Sequence, residues 1–183
     1  MNRPRGLRRV LILAVLALLA SAPGRGQAAR PDPLAPLDFL IGKWTSRSEG
    51  QPGEGTGERE YVRVLGTRFV QARNVATYPP QAKNPKGERH EDIGLFSFDN
   101  ARKKLVLRQF HVEGFVNQYV ADLPAKPGVL VFTTEAIENI PPGWRARETY
   151  TVLGPDEIEE VFELAEPGKD FELYSRTRLK RVR

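Results

Sequence analysis

From Gly42 onward the chain reads as short runs in which apolar and polar residues alternate, each run ended by Gly, Pro, Asn or Asp. Alternation with period two is the mark of a strand with two unlike faces, and the punctuating residues are those that turns require. The runs are 41–49, 58–65, 67–77, 91–98, 103–112, 115–123, 128–136, 144–153, 157–165 and 170–181. Breaks fall at Gly50–Gly57, Gly66, the Pro-rich stretch 78–90, Asp99-Asn100, Glu113-Gly114, Pro141-Pro142-Gly143, Gly154-Pro155-Asp156 and Pro167-Gly168-Lys169. Even 157–166, rich in helix formers, alternates through Ile158, Phe162 and Leu164 and is bounded by turn residues. About ten strands joined by hairpin-length turns, with no long crossing connection, predict an all-β, single antiparallel up-and-down barrel.

The pattern before Gly42 is different. Arg3, Arg5, Arg8 and Arg9 precede an apolar run, Val10 to Ala20, and small residues follow up to Ala28 and Ala29. That order is a secretory signal peptide over residues 1–29, with the domain on 30–183. The apolar run of about 11 residues reaches only about 16 Å as a helix, whereas a membrane span needs about 20 residues. The expectation is an exported protein, periplasmic or secreted, with no stable membrane anchor after cleavage.

Removing that segment changes the charge argument. The chain has 28 Lys and Arg against 23 Asp and Glu, but five of the arginines precede the cut and no acid does. The remainder is balanced, so the basic footprint of a nucleic-acid binder is missing. There is no cysteine, so an exported domain here must be held by its own core rather than by disulfides.

The stretch Leu37-Asp38-Phe39-Leu40-Ile41-Gly42-Lys43-Trp44 opens the fold. One apolar helical turn would cap a barrel end, Gly42 would allow a sharp bend into the first strand, and Trp44 would point inward as a floor. Together with Gly66-Thr67-Arg68-Phe69 and the Phe98-Asp99-Asn100 turn, this motif resembles the lipocalin-like (calycin) barrels. In particular it is similar to a bacterial branch whose better-known relatives include the nitrobindins. The resemblance implies that an Arg packs on the Trp, and Arg176 or Arg178 on the last strand are the candidates. It also raises haem, held in nitrobindin-like barrels by a His near the C-terminus. Here Phe171–Arg178 has no His, which disfavours haem, and no other cofactor is expected.

The remaining chemistry is sparse. Gly53-Glu54-Gly55-Thr56-Gly57 lacks the following helix of a phosphate loop and reads as a flexible hairpin. His90, in Lys86–Asp92, reads as part of a solvated charge run, and no metal site is expected. Pairing through the Glu113-Gly114 turn puts Leu107, Gln109 and His111 on one face with Val116, Gln118 and Val120. Arg108, Phe110, Val112, Phe115, Asn117 and Tyr119 take the other, and the alternation leaves the cavity side open. Glu148, Glu159, Glu160 and Glu163 read as solvent-facing, although neighbouring carboxylates can serve as an acid–base pair.

No Ser lies in a Gly-x-Ser-x-Gly elbow. The expected function is binding of a small apolar or amphipathic molecule, with Trp44, Gln109, His111 and Gln118 as ligand-binding candidates. The alternatives are a haem-binding barrel with redox or isomerase chemistry and a structural or protein-interaction module with a filled interior.

Overall fold

Leu34, Leu37 and Leu40 recur every third residue, and in the 3-10 helix Ala35–Leu40 this spacing stacks them on one face. All three are buried. Together they plug one end of a closed barrel, as the opening motif predicts. The computed structural model describes residues 31–183 apart from 122, 124 and 125, so the predicted signal peptide lies outside the described residues.

Ten antiparallel strands follow: β1 (Gly42–Gly50), β2 (Gly55–Val64), β3 (Phe69–Tyr78), β4 (Glu88–Asp99), β5 (Lys104–His111), β6 (Val116–Ala121), β7 (Val129–Glu138), β8 (Arg145–Gly154), β9 (Glu157–Ala165) and β10 (Glu172–Arg181). Each pairs with its sequence neighbours, and β1 pairs with β10 to close the barrel, with Trp44 opposite Arg181 and Ser48 opposite Thr177. Among the described residues, closure leaves no edge strand to pair with another chain.

The end next to the helix is packed solid. Trp44 is 1% exposed, and its indole Nε1 donates to the Leu40 carbonyl at 2.7 Å. Gly42 makes this approach possible: its φ of +126° is open to glycine, and a Cβ there would stand 2.8 Å from Arg181 Nη1. Above Trp44, Tyr61, Phe96, Phe132 and Tyr150 touch in sequence, with centroids 6.4, 5.5 and 6.2 Å apart. Leu105, Leu107, Tyr119, Ile158 and Leu179 complete this half of the core.

The β5–β6 hairpin corrects the predicted pairing. His111 N–H donates to the Phe115 carbonyl at 3.2 Å, so the loop has three residues, Val112, Glu113 and Gly114, with Gly114 at φ +89°. This is the hairpin geometry in which a glycine in the left-handed region closes a three-residue loop. It moves the register by one relative to the predicted pairing, and a one-residue slip turns every side chain of a strand to the other face. Gln109 therefore faces Asn117, and Leu107 faces Tyr119. Asn117 and Tyr119 point inward, while Gln118 points outward and bonds Glu135 at 2.5 Å.

Candidate functional site

The interior changes character halfway up. Beyond the aromatic layer the side chains become polar, and a cavity of about 580 Å³ opens toward the end opposite the 3-10 helix. Its floor is a layer of polar residues contributed by every strand but β7. Arg59 on β2 lies opposite Asn74 on β3, which lies opposite Asp92 on β4. Gln109 and Asn117 continue the layer on β5 and β6, Glu148 and Glu160 on β8 and β9, and Thr177 and Ser48 close it at the seam. The mouth is lined instead by Phe115, Ile137, Ile140, Trp144, Phe162 and Tyr174.

These polar groups are bonded to one another, as buried polar groups must be. Arg59 makes a buried ion pair with Glu160 and donates from Nε to Asn74 Oδ1 at 3.0 Å. Asn74 Nδ2 donates to Asp92 Oδ2 at 2.8 Å, and Gln109 Nε2 donates to Asp92 Oδ1 at 3.1 Å. Burial opposes the charge on Asp92, yet bonds from His90, Asn74 and Gln109 and the field of Arg59 hold its pKa below the usual carboxylate range. Burial likewise opposes the charge on Arg59, and Glu160, with smaller contributions from Tyr61, Tyr150 and Asp92, more than compensates.

Glu148 differs from Asp92 in having no cation of its own. Burial, and then the negative charge of Glu160, push its pKa up to about 8. At neutral pH this carboxyl holds a proton, and Tyr150 OH bonds its Oε2 at 2.7 Å. Burial followed by the nearby Glu148 raises both Tyr119 and Tyr150 well above ordinary tyrosine. Of the two carboxyl groups on these adjacent strands, Glu160 is the one bonded to Arg59, and Glu148 is left as the neutral acid.

The β4–β5 wall carries both histidines. Strand β4 begins at Glu88, three residues before the predicted start, so His90 lies in the ladder opposite Ala76 and turns into the cavity. The predicted solvated charge run is therefore corrected: His90 bonds Glu113 Oε1 through Nδ1 at 2.8 Å, and its Nε2 is 3.4 Å from Asp92 Oδ2. His111 stacks on Phe115, centroids 4.0 Å apart. Burial disfavours charge on both rings. Bonds to Asp92 and Glu113 reverse this for His90 and raise it to about 9, while His111, without an ion pair, falls to about 4.

The predicted site residues separate on this geometry. Gln109 and His111 line the cavity; Trp44 lies beneath it in the packed floor, and Gln118 is outside the barrel. Arg176 and Arg178 also face outward, paired with Glu159 and Glu157. The arginine over Trp44 is Arg181, because Trp44 pairs across the seam with residue 181 and only that register brings a guanidinium to the ring. Of the four glutamates, Glu159 and Glu163 are solvent-side partners of Arg178 and Arg147, but Glu148 and Glu160 are buried in the cavity floor. Arg59, Asn74, Asp92 and Asn117 were not singled out from the sequence. Their signal is a charged or amide residue at an inward position of β2, β3, β4 and β6, which becomes readable only once the register is known.

The fold and site define a closed ten-strand antiparallel β-barrel, filled at one end and hollow at the other. No protein-family model matches the chain, and no curated protein matches it. Among solved structures, Rv2717c from M. tuberculosis matches with a TM-score of 0.65 at 20% identity, covering 84% of this chain and 99% of that one. At that identity the likeness shows the fold. A designed fluorescence-activating β-barrel matches at a TM-score of 0.42 and 14% identity, over 79% of this chain and 94% of the design.

Proposed function

We propose that this barrel binds one small amphipathic molecule, its polar head on the cavity floor and its apolar part in the mouth. The observation that carries the reading is the two-zone lining: buried acids and amides on the floor, and above them aromatic and branched residues with Glu88 and Glu113 at the rim. A volume of about 580 Å³ suits a ligand of modest size, since such cavities run from about 300 to 1,000 Å³. With Glu148 protonated and His111 neutral, four carboxylates, Glu88, Asp92, Glu113 and Glu160, line the space against Arg59 and His90. That balance favours a cationic or hydrogen-bond-donating head. Burial of the apolar part in the mouth contributes roughly 25 cal/mol per Å².

The N-terminal Leu-Asp-Phe-Leu-x-Gly-x-Trp motif supports a place among lipocalin-like barrels, and the leader-like residues 1–29 support action outside the cytoplasm. Haem has no part in the proposal, because β10 offers no His.

Trp144 lines the mouth whereas Trp44 is sealed beneath the floor, so ligand entry should be read from Trp144 emission. The test titrates alkylammonium and alkylcarboxylate amphiphiles of equal chain length, in EDTA, against wild type and Trp144→Phe. The expected result is saturable one-to-one binding, at least tenfold tighter for the ammonium head. Absence of saturable binding, or equal affinity for both heads, overturns the reading.

A further inference from the structure

We propose that His90, Asp92 and His111 form a binding site for a divalent first-row transition-metal ion in the cavity wall, open to the cavity on its remaining side. The proposal concerns the same cavity but not the molecule that fills it.

The geometry is that of ligands awaiting an ion. His90 Nε2 is 3.4 Å from His111 Nδ1 and 3.4 Å from Asp92 Oδ2. All three donor atoms lie within 4.8 Å of one another. Two donors each about 2.1 Å from a tetrahedral ion stand about 3.4 Å apart. The wall is preset by the ladder, since Asp92 pairs directly with His111 across β4 and β5, and His90 lies two residues before Asp92 on the same face.

A hydrogen bond from His90 Nε2 to Asp92 leaves the contact with His111 Nδ1 unaccounted for. His90 Nε2 faces a carboxylate oxygen and an imidazole nitrogen at the same distance, and a single proton serves only one of them. An ion accepts lone pairs from all three. The surrounding residues also have the arrangement that ligating side chains need, in which each ligand's second polar atom is held by a partner. His90 Nδ1 is 2.8 Å from Glu113 Oε1, and Gln109 Nε2 holds Asp92 Oδ1 at 3.1 Å. His111 Nε2 is 3.3 Å from the Asn117 amide.

A separate observation points to a missing occupant. Among the described residues, Oδ1 of the buried Asn117 and Oε1 of Gln109 have no hydrogen-bond partner. Both residues line the cavity beside His111. A water on the open face of the ion would supply a donor to such oxygens. Two imidazoles and one carboxylate with an open position suit zinc or ferrous iron rather than magnesium or calcium, which prefer all-oxygen sets.

The test uses untagged protein, stripped with chelator and dialysed, titrated with Zn²⁺ by calorimetry and with Co²⁺ by visible absorption. One ion per chain at micromolar affinity or better is expected, with the intense d–d bands of low-coordinate cobalt. Asp92→Asn and His111→Gln, each checked for wild-type circular dichroism, should weaken Zn²⁺ at least 100-fold. Asn117→Ala should weaken it about tenfold, within the range for a residue that orients a ligand.

His90 also adjoins Glu88 and Glu113 at the exposed rim. Binding lost in a Glu88→Gln/Glu113→Gln double variant but kept in both Asp92→Asn and His111→Gln would place the ion on the rim and overturn the proposal. So would binding no tighter than millimolar in wild type. Amphiphile binding in EDTA is read separately, so either result can fail alone.

Discussion

The guanidinium of Arg181 lies 4.1 Å from the centre of the Trp44 ring, while its Nη1 and Nη2 hold the Ile41 and Phe39 carbonyls at 2.5 and 2.9 Å. One side chain thus ties the last strand to the first and to the 3-10 helix that plugs the barrel.

Removing either partner should open the floor. Trp44→Ala is expected to cost about 3–5 kcal/mol, as truncation of a buried Trp typically does. Arg181→Lys keeps the charge but loses the planar fork that stacks and bonds two carbonyls together. A loss of about 1–2 kcal/mol is expected in urea unfolding, whereas Arg176→Lys and Arg178→Lys, on the outer surface, should melt like wild type.

Arg59 and Glu160 form the buried ion pair of the cavity floor. Arg59→Met leaves the Glu160 carboxylate buried without its cation, and breaking such a pair costs about 3–5 kcal/mol. The double variant Arg59→Met/Glu160→Gln removes both charges and should recover much of that loss. A double-mutant cycle by denaturant unfolding measures it; additive losses would show that the pair is not coupled.

Glu148 makes stability depend on pH in a calculable direction. Its pKa is about 8 in the folded chain against an ordinary value of 4.5. Between these values the unfolded chain has released the proton and the folded chain retains it. Raising the pH through this window therefore destabilises the fold, by at most roughly 1.4 kcal/mol per pH unit for one proton. Glu148→Gln has no proton to lose, so its stability relative to wild type should rise steadily from pH 5 to 8. Parallel stability curves for the two proteins would contradict the assignment.

Gly114 sets the register on which the site depends. A Cβ there meets nothing within 4 Å, so Gly114→Ala adds backbone strain at φ +89° without a clash. A loss of about 1 kcal/mol is expected. Since the same residue decides which face of β6 is inside, the variant should also perturb the amide signals of Asn117 and Tyr119 in NMR.

Export gives a direct check on the expected signal peptide. Expression in a bacterial host with a periplasm should yield a soluble product shortened to begin near residue 29 or 30, read by intact mass. Full-length chain in the membrane fraction would contradict it.

The architecture was legible because alternation and turn residues report it locally. Ten runs in the sequence became ten strands, and the turn expected at Leu37–Ile41 became the 3-10 helix Ala35–Leu40 that plugs the barrel. The site was less legible because it depends on facing, and facing depends on register. One residue in the loop Val112–Gly114 moved Gln118 out of the cavity and brought Asn117 in. His90 was misread for a related reason: charges next to a Pro-rich loop look solvated until the strand is known to start at Glu88. Glu148 and Glu160 looked like solvent-facing acids because nothing local to β8 or β9 reveals that Arg59, about a hundred residues away, neutralises one of them.

The seam between β1 and β10 has a consequence for how the chain folds. Every other ladder joins sequence neighbours and can zip as a hairpin, but the seam joins positions some 140 residues apart. Closing a loop of that length costs roughly 3 kcal/mol more than closing a five-residue turn. The barrel should therefore assemble as a curling meander and seal at Trp44 and Arg181 in its last step. Substitutions at this latch would then accelerate unfolding while leaving the refolding rate nearly unchanged.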